Sequence, residues 1–264
     1  MTARTLVRRA AGAIDRVFAP PAGLVVLIYH RVGGGTDSAV DMSTADFREQ
    51  MTLLAQLGTV LSLDDATSAL QRDERPVGVV ITFDDGAADF CDVAVPVMVD
   101  LGLPSTLYLV TAAPDAGSLP WGPPATSWQA LRDAAATGLV SVQSHTHDHR
   151  LLHRTTAADA AEQLDRSIDA IAHHVGRPPR HFAYPKAVAG NRAARAAVSS
   201  RFTSGALAGH RVNTSASHLQ RLGRVPVSRT DDLATFRRKV NGGLRAEGLA
   251  RDVYGRIRYR KAIT

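Results

Sequence analysis

The chain predicts an α/β fold built on a parallel sheet, and three observations carry that expectation. Short apolar runs of strand length alternate with longer stretches of helical period. Titratable side chains stand at the ends of those runs, where parallel α/β folds place their ligands. The length, 264 residues with 45% hydrophobic content, suffices for a full core and lies within the range of one α/β barrel, so a single domain is expected.

The elements follow in order. "LVVLIY", 24–29, is the first strand, and Ser43 caps a helix over 44–57. A strand over 77–83, a helix over 89–101, a strand over 105–110 and a helix over 127–137 come next. Then come a strand over 139–143, a helix over 156–175 capped at Thr156, a strand over 181–184, a helix over 191–199 and a weaker strand over 224–227. "AAPDAGSLPWGPPAT", 112–126, reads as a loop, with Trp121 either facing substrate or pinning the loop to the core.

Ahead of the first strand, residues 5–18 pattern as an amphipathic helix stopped by Pro20-Pro21. It is expected to pack on the domain, with peripheral contact to an anionic membrane as the alternative. The expected division is 1–22 helix and linker, 23–243 catalytic domain, and 244–264 basic tail. No run approaches the roughly 20 apolar residues of a membrane span. The N-terminus lacks a continuous apolar core and a small-residue cleavage site, so a cytoplasmic protein is expected, with the inner membrane face as a possible station. Cys91 is the single cysteine, which excludes an intramolecular disulfide. The net charge of +6 favours anionic surroundings, but nucleic acid would rest on that charge alone and is not an expected partner. Oligomeric state is not legible.

Two stretches carry chemistry. "VVITFDDGAADF", 79–90, ends an apolar strand with adjacent carboxylates, Asp84 and Asp85, followed by Gly86. Such a pair calls for a cation, and Gly86 suits a tight exit where a β-carbon would be unwelcome. "VQSHTHDHRLL", 142–152, places three histidines in five positions at another strand end. If the chain makes one helical turn there, His145 and His149 face a common point and His147 points away. Two imidazoles and one carboxylate form a divalent-metal site with open coordination positions, the mark of a catalytic site. One aspartate can bind the ion while the other serves as a base. Zinc suits the donor set best, with nickel, cobalt or iron also compatible.

Five segments in order, "LIYHRV" (27–32), "TFDDG" (82–86), "HTHDH" (145–149), "FAYP" (182–185) and "LGRVPV" (222–227), resemble the polysaccharide deacetylase family, also called the NodB homology or carbohydrate esterase 4 family. "FAYP" resembles the third-motif variant of one branch. The resemblance implies a distorted (β/α) barrel and a metal-dependent hydrolase that removes acetyl groups from N-acetylated sugars. It implies Asp84 as general base and Asp85, His145 and His149 as metal ligands. Thr146 would steady a ligand histidine, the Tyr184 N–H would bind the oxyanion, and the Tyr184 ring with Pro185 would shape the acetate pocket. Ala183 stands where the better-known branch has the arginine that orients the base, so Arg224 is the candidate for that task, with Arg221 next. Ala187 replaces a usual glycine. No residue is placed as general acid: His210 matches in letters but comes early in the order, while His30 is better sited for substrate contact or proton transfer. The rival readings are hydrolysis of another small amide or ring on the same fold, and a glycan-binding module without catalysis.

Overall fold

A computed structural model of the protein describes residues 20–244. The expected helix over 5–18 and the tail beyond residue 244 lie outside the described residues. Seven strands run parallel in the order β8-β7-β6-β5-β4-β1-β9: β1 Leu24–Tyr29, β4 Gly78–Asp85, β5 Ser105–Leu109, β6 Val140–Ser144, β7 His181–Ala183, β8 Ser204–Ala206 and β9 Arg224–Pro226. A short separate pair joins β2 Arg31–Val32 to β3 Asp41–Met42. The sheet nearly closes on itself, because Leu207 N–H donates to Leu222 O and Gly209 N–H to Arg224 O, both at 2.8 Å, across the seam between β8 and β9. The sequence expectation of a distorted barrel is met.

Period-two alternation sorts the side chains. Val25, Leu27, Tyr29, Val79, Ile81, Phe83, Leu107 and Leu109 pack outward into the main core, under the helices. Leu24, Val26, Val80, Tyr108, Ala183 and Ala206 fill the barrel interior. Both faces are therefore dry, which is why β1 and β4 read as continuous apolar runs.

The helices are α1 Thr44–Leu57, α2 Leu63–Gln71, α3 Val95–Asp100, α4 Ala113–Ala116, α5 Trp128–Ala136, α6 Ala157–Val175, α7 Arg192–Arg201 and α8 Leu233–Val240. Ser43 caps α1 through the Asp46 N–H, and Thr156 and Asp159 form a reciprocal capping box on α6. The helix expected over 89–101 forms as one continuous helical run over 88–100, though it is not α throughout. Pro96 has no N–H for the carbonyl four residues back, and a π turn over Phe90–Ala94 precedes α3. Six elements have no counterpart in the sequence reading: α2, α4, α8, β2, β3 and β8. Of these, α2 stoppers the barrel. Its Leu63, Ala66 and Leu70 join the interior cluster at the N-terminal ends of the strands. Buried His181 holds it there, reaching Asp64 through Nε2 at 3.1 Å and Ser204 Oγ through Nδ1 at 2.9 Å. No helix among the described residues is long and apolar enough to cross a membrane.

Candidate active site

The register Asp84↔Tyr108 and Asp85↔Leu109 sets the two aspartates at the C-terminal end of β4, level with the end of β5. Asp84 continues the inward face of β4 and is buried. Asp85 takes φ 77° and Gly86 φ 94°, so the chain leaves the strand through two left-handed residues. A β-carbon on Gly86 would come within 2.5 Å of Leu109 Cδ1, so the glycine is needed for space as well as for conformation.

Arg224, wholly buried on β9, grips Asp84 with both prongs of its guanidinium: Nη1 donates to Oδ1 at 2.6 Å and Nη2 to Oδ2 at 2.8 Å. Arg224 is fixed in turn by Nη1 donating to Thr82 Oγ1 at 3.3 Å and Nε to Leu207 O at 3.2 Å, with its guanidinium 5.0 Å from the Tyr108 ring centroid. Burial would push the Asp84 carboxyl up, but the Arg224 charge, followed by His145 and the guanidinium hydrogen bonds, holds it well below the usual carboxylate range. Asp85 has no such partner, and burial, reinforced by the Asp84 charge, pushes it up to about 8.

His145 Nδ1 lies 2.8 Å from Ala183 O. A carbonyl only accepts, so Nδ1 carries the proton and Nε2 presents its lone pair. That Nε2 is 3.5 Å from Asp85 Oδ1, and His149 Nε2 is also 3.5 Å from it. Burial lowers the His145 pKa to about 4 and the His149 pKa to about 3, so both rings are neutral near pH 7. His147 turns away, as expected, onto Thr111 Oγ1 at 3.0 Å.

Other sequence expectations need correction. No helical turn forms at 145–149; left-handed residues at Thr146 (φ 69°) and His149 (φ 63°) bring the two rings together instead. Thr146 does not steady a ligand histidine: its buried Oγ1 has no hydrogen-bond partner, and Ala183 O does that work for His145. The Tyr184 N–H is not available to an oxyanion, because it extends the β7–β8 ladder by donating to Ala206 O at 3.1 Å. The Tyr184 ring continues the outward face of β7 and packs on Phe182 in an outer cluster, so it does not shape an acetate pocket.

Trp121 does not pin its loop. Its indole is 47% exposed with its ring centroid 4.7 Å from that of His149, while the anchoring falls to Trp128, whose Nε1 donates to Asp115 at 2.8 Å. His30 follows β1 and acts electrostatically on Asp84, with burial lowering its own pKa. Pro185 is buried and starts the turn after β7. His210 is buried beside the barrel seam, next to Gly209. The sequence reading passed over Lys186. It and Ala187 adopt φ 52° and 55°, left-handed conformations that cost non-glycine residues roughly 1–2 kcal/mol each. The position where the family has glycine thus does demand a glycine-like backbone.

Residues 71–204 match the family model described as polysaccharide deacetylase. The chain belongs to the polysaccharide deacetylase family. Among curated proteins, the Bacillus subtilis (strain 168) protein YxkH, named for the same family, is 28% identical over 147 residues, 54% of this chain and 50% of that protein. The chain thus spans about half the length of that relative. Among solved structures, IcaB from Ammonifex degensii superposes with a TM-score of 0.73 at 25% identity, covering 86% of this chain and 98% of that one. The Streptococcus pyogenes deacetylase PplD, solved with acetate, gives a TM-score of 0.75 at 20% identity over 83% of this chain and 99% of that one, which is a likeness of fold.

The geometry of the site fits a divalent ion. Candidate donor atoms of Asp85, His145 and His149 all lie within 4.8 Å of one another. Two donors each about 2.1 Å from a tetrahedral ion stand about 3.4 Å apart, close to both 3.5 Å separations found at Asp85 Oδ1. The chemistry agrees: two imidazoles kept neutral, one with its tautomer fixed, and a carboxylate that stays protonated unless a cation joins it.

Proposed function

We propose that the protein is a metal-dependent hydrolase that removes N-acetyl groups from an acetylated sugar or glycan, releasing acetate. The observation that carries this reading is the division of labour between two adjacent aspartates, Asp84 clamped by Arg224 and Asp85 turned toward two neutral histidines. Asp85, His145 and His149 would hold the ion, zinc being the best match to the donors. When bound, it supplies Lewis acidity toward the acetamide carbonyl and toward water.

Asp84 takes the proton of the attacking water. Arg224 gives it one rotamer, keeps it ionised and draws it off the ion, while each carboxylate oxygen retains a lone pair for the incoming proton. His30 is sited to contact substrate or to pass a proton toward the departing amine. The exposed indole of Trp121, standing over a candidate ligand histidine, offers an apolar face to a sugar ring, and Pro185, buried at the start of the turn after β7, is the other residue expected to contact substrate. A glycan-binding module without catalysis would have no use for a buried, doubly clamped carboxylate.

The test is acetate release from a panel of N-acetylated sugars and oligomers, using chelated protein with and without restored metal. Asp84→Asn should retain metal and lose on the order of 10²-fold or more in kcat. Near-normal turnover in that variant would remove Asp84 from the chemistry and the reading with it.

A further inference from the structure

Lys186 has no task in the reading above. It sits in the turn after β7, three residues past Ala183, whose carbonyl orients His145. Pro185 roots the turn in the protein, while Lys186 itself is exposed. Among the described residues its ammonium forms no hydrogen bond or ion pair, yet it lies close enough to Asp85 and His149 to act on both electrostatically. Asp148, the carboxylate beside His149 in sequence, is engaged by Arg150 at 3.1 Å. A lone ammonium near a cation site weakens the hold on that cation. The backbone nevertheless presents it there through two consecutive left-handed residues, the kind of strained conformation that gathers at functional sites.

We infer that the substrate is an anionic glycan, and that Lys186 determines specificity by receiving a phosphate or carboxylate carried near the N-acetyl group. This rests on the deacetylase reading. The anion supplies the counter-charge that the protein leaves out.

Three N-acetylated oligosaccharides of one length, neutral, phosphate-bearing and carboxylate-bearing, are titrated calorimetrically into wild type, Lys186→Ala and Lys186→Arg, with acetate release followed in parallel. Wild type should bind at least one anionic ligand about tenfold more tightly than the neutral one, the worth of one charge-assisted contact. Added salt should erode that preference. Lys186→Ala should abolish it through KM with kcat kept, Lys186→Arg should preserve it, and the neutral ligand should not distinguish the three proteins. The stronger anionic arm identifies the group. Equal binding of all three ligands, no binding of any, or an equal loss for neutral and anionic ligands in Lys186→Ala overturns the inference. Acetate release without charge preference refutes this inference alone, and charge preference without acetate release refutes the deacetylase reading alone.

Discussion

Replacing Arg224 tests how the protein keeps a bare carboxylate beside a candidate metal site. Arg224 is fully buried and Asp84 is 5% exposed, so neither partner can turn to water when the other is lost. The guanidinium makes four hydrogen bonds, two to Asp84 and one each to Thr82 and Leu207. Arg224→Ala leaves Asp84 as an uncompensated buried charge, a defect worth about 3–5 kcal/mol. At about 2–4 °C per kcal/mol for a chain of this size, the melting temperature should fall by about 6–20 °C. Arg224→Lys keeps the charge but not the planar fork, so it should lose part of that stability and most of kcat, with metal content unchanged. The double variant Asp84→Asn/Arg224→Met removes both charges and should be more stable than Arg224→Ala, because no unpaired ion stays behind. Denaturant melts, elemental analysis and acetate release read the three effects. Wild-type stability and turnover in both Arg224→Lys and Arg224→Ala would refute the clamp.

Three further outcomes are expected. His145→Ala, His149→Ala and Asp85→Ala should each abolish stoichiometric metal while His147→Ala keeps it, and elemental analysis showing full occupancy in the His149 variant would overturn the ligand set. In metal-free protein the Asp85 carboxyl, at about 8, still holds its proton at pH 7, so metal binding must expel it. About nine-tenths of a proton per ion should appear at pH 7 and about a tenth at pH 9, raising affinity as pH rises toward 8; calorimetry in buffers of different ionisation enthalpy measures it, and no release at pH 7 would contradict the assignment. For His145 and His149 the folded pKa values are depressed, to about 4 and about 3, below an unfolded value near 6.5. Their contribution to stability is therefore present above pH 6.5 and lost as pH falls toward those values, and melts of metal-free wild type against the double His→Ala variant should diverge in that window.

The candidate metal donors and Asp84 were legible as a cluster because strand ends in a parallel barrel converge whatever the loops do, and their side chains carry chemistry that an apolar neighbourhood cannot absorb. Arg224 was legible as a deficit: with Ala183 in place of an arginine, Asp84 needed a cation from another strand. Tyr184 was misjudged because the partner of its N–H lies on β8, three residues reading "SGA" with no apolar run to announce a strand. Thr146 was misjudged because a β-branched residue gives no sign in sequence of a left-handed backbone, and that conformation decides where its hydroxyl goes. Nine-residue α2 went unseen for a related reason. Its apolar positions Leu63, Ala66 and Leu70 make a stripe too short to stand out, and only the open end of a barrel gives that stripe something to fill.

That helix makes the barrel a blind-ended vessel. With α2 seated under the interior and tied to β7 through Asp64 and His181, nothing passes through the centre, and the mouth above Asp84 is both entrance and exit. A polymer cannot be threaded through such a vessel: a chain that reaches Asp84 must do so from the mouth alone. Under the proposed deacetylation, whatever enters must leave by the same opening, a constraint set by a stopper at the opposite end of the fold.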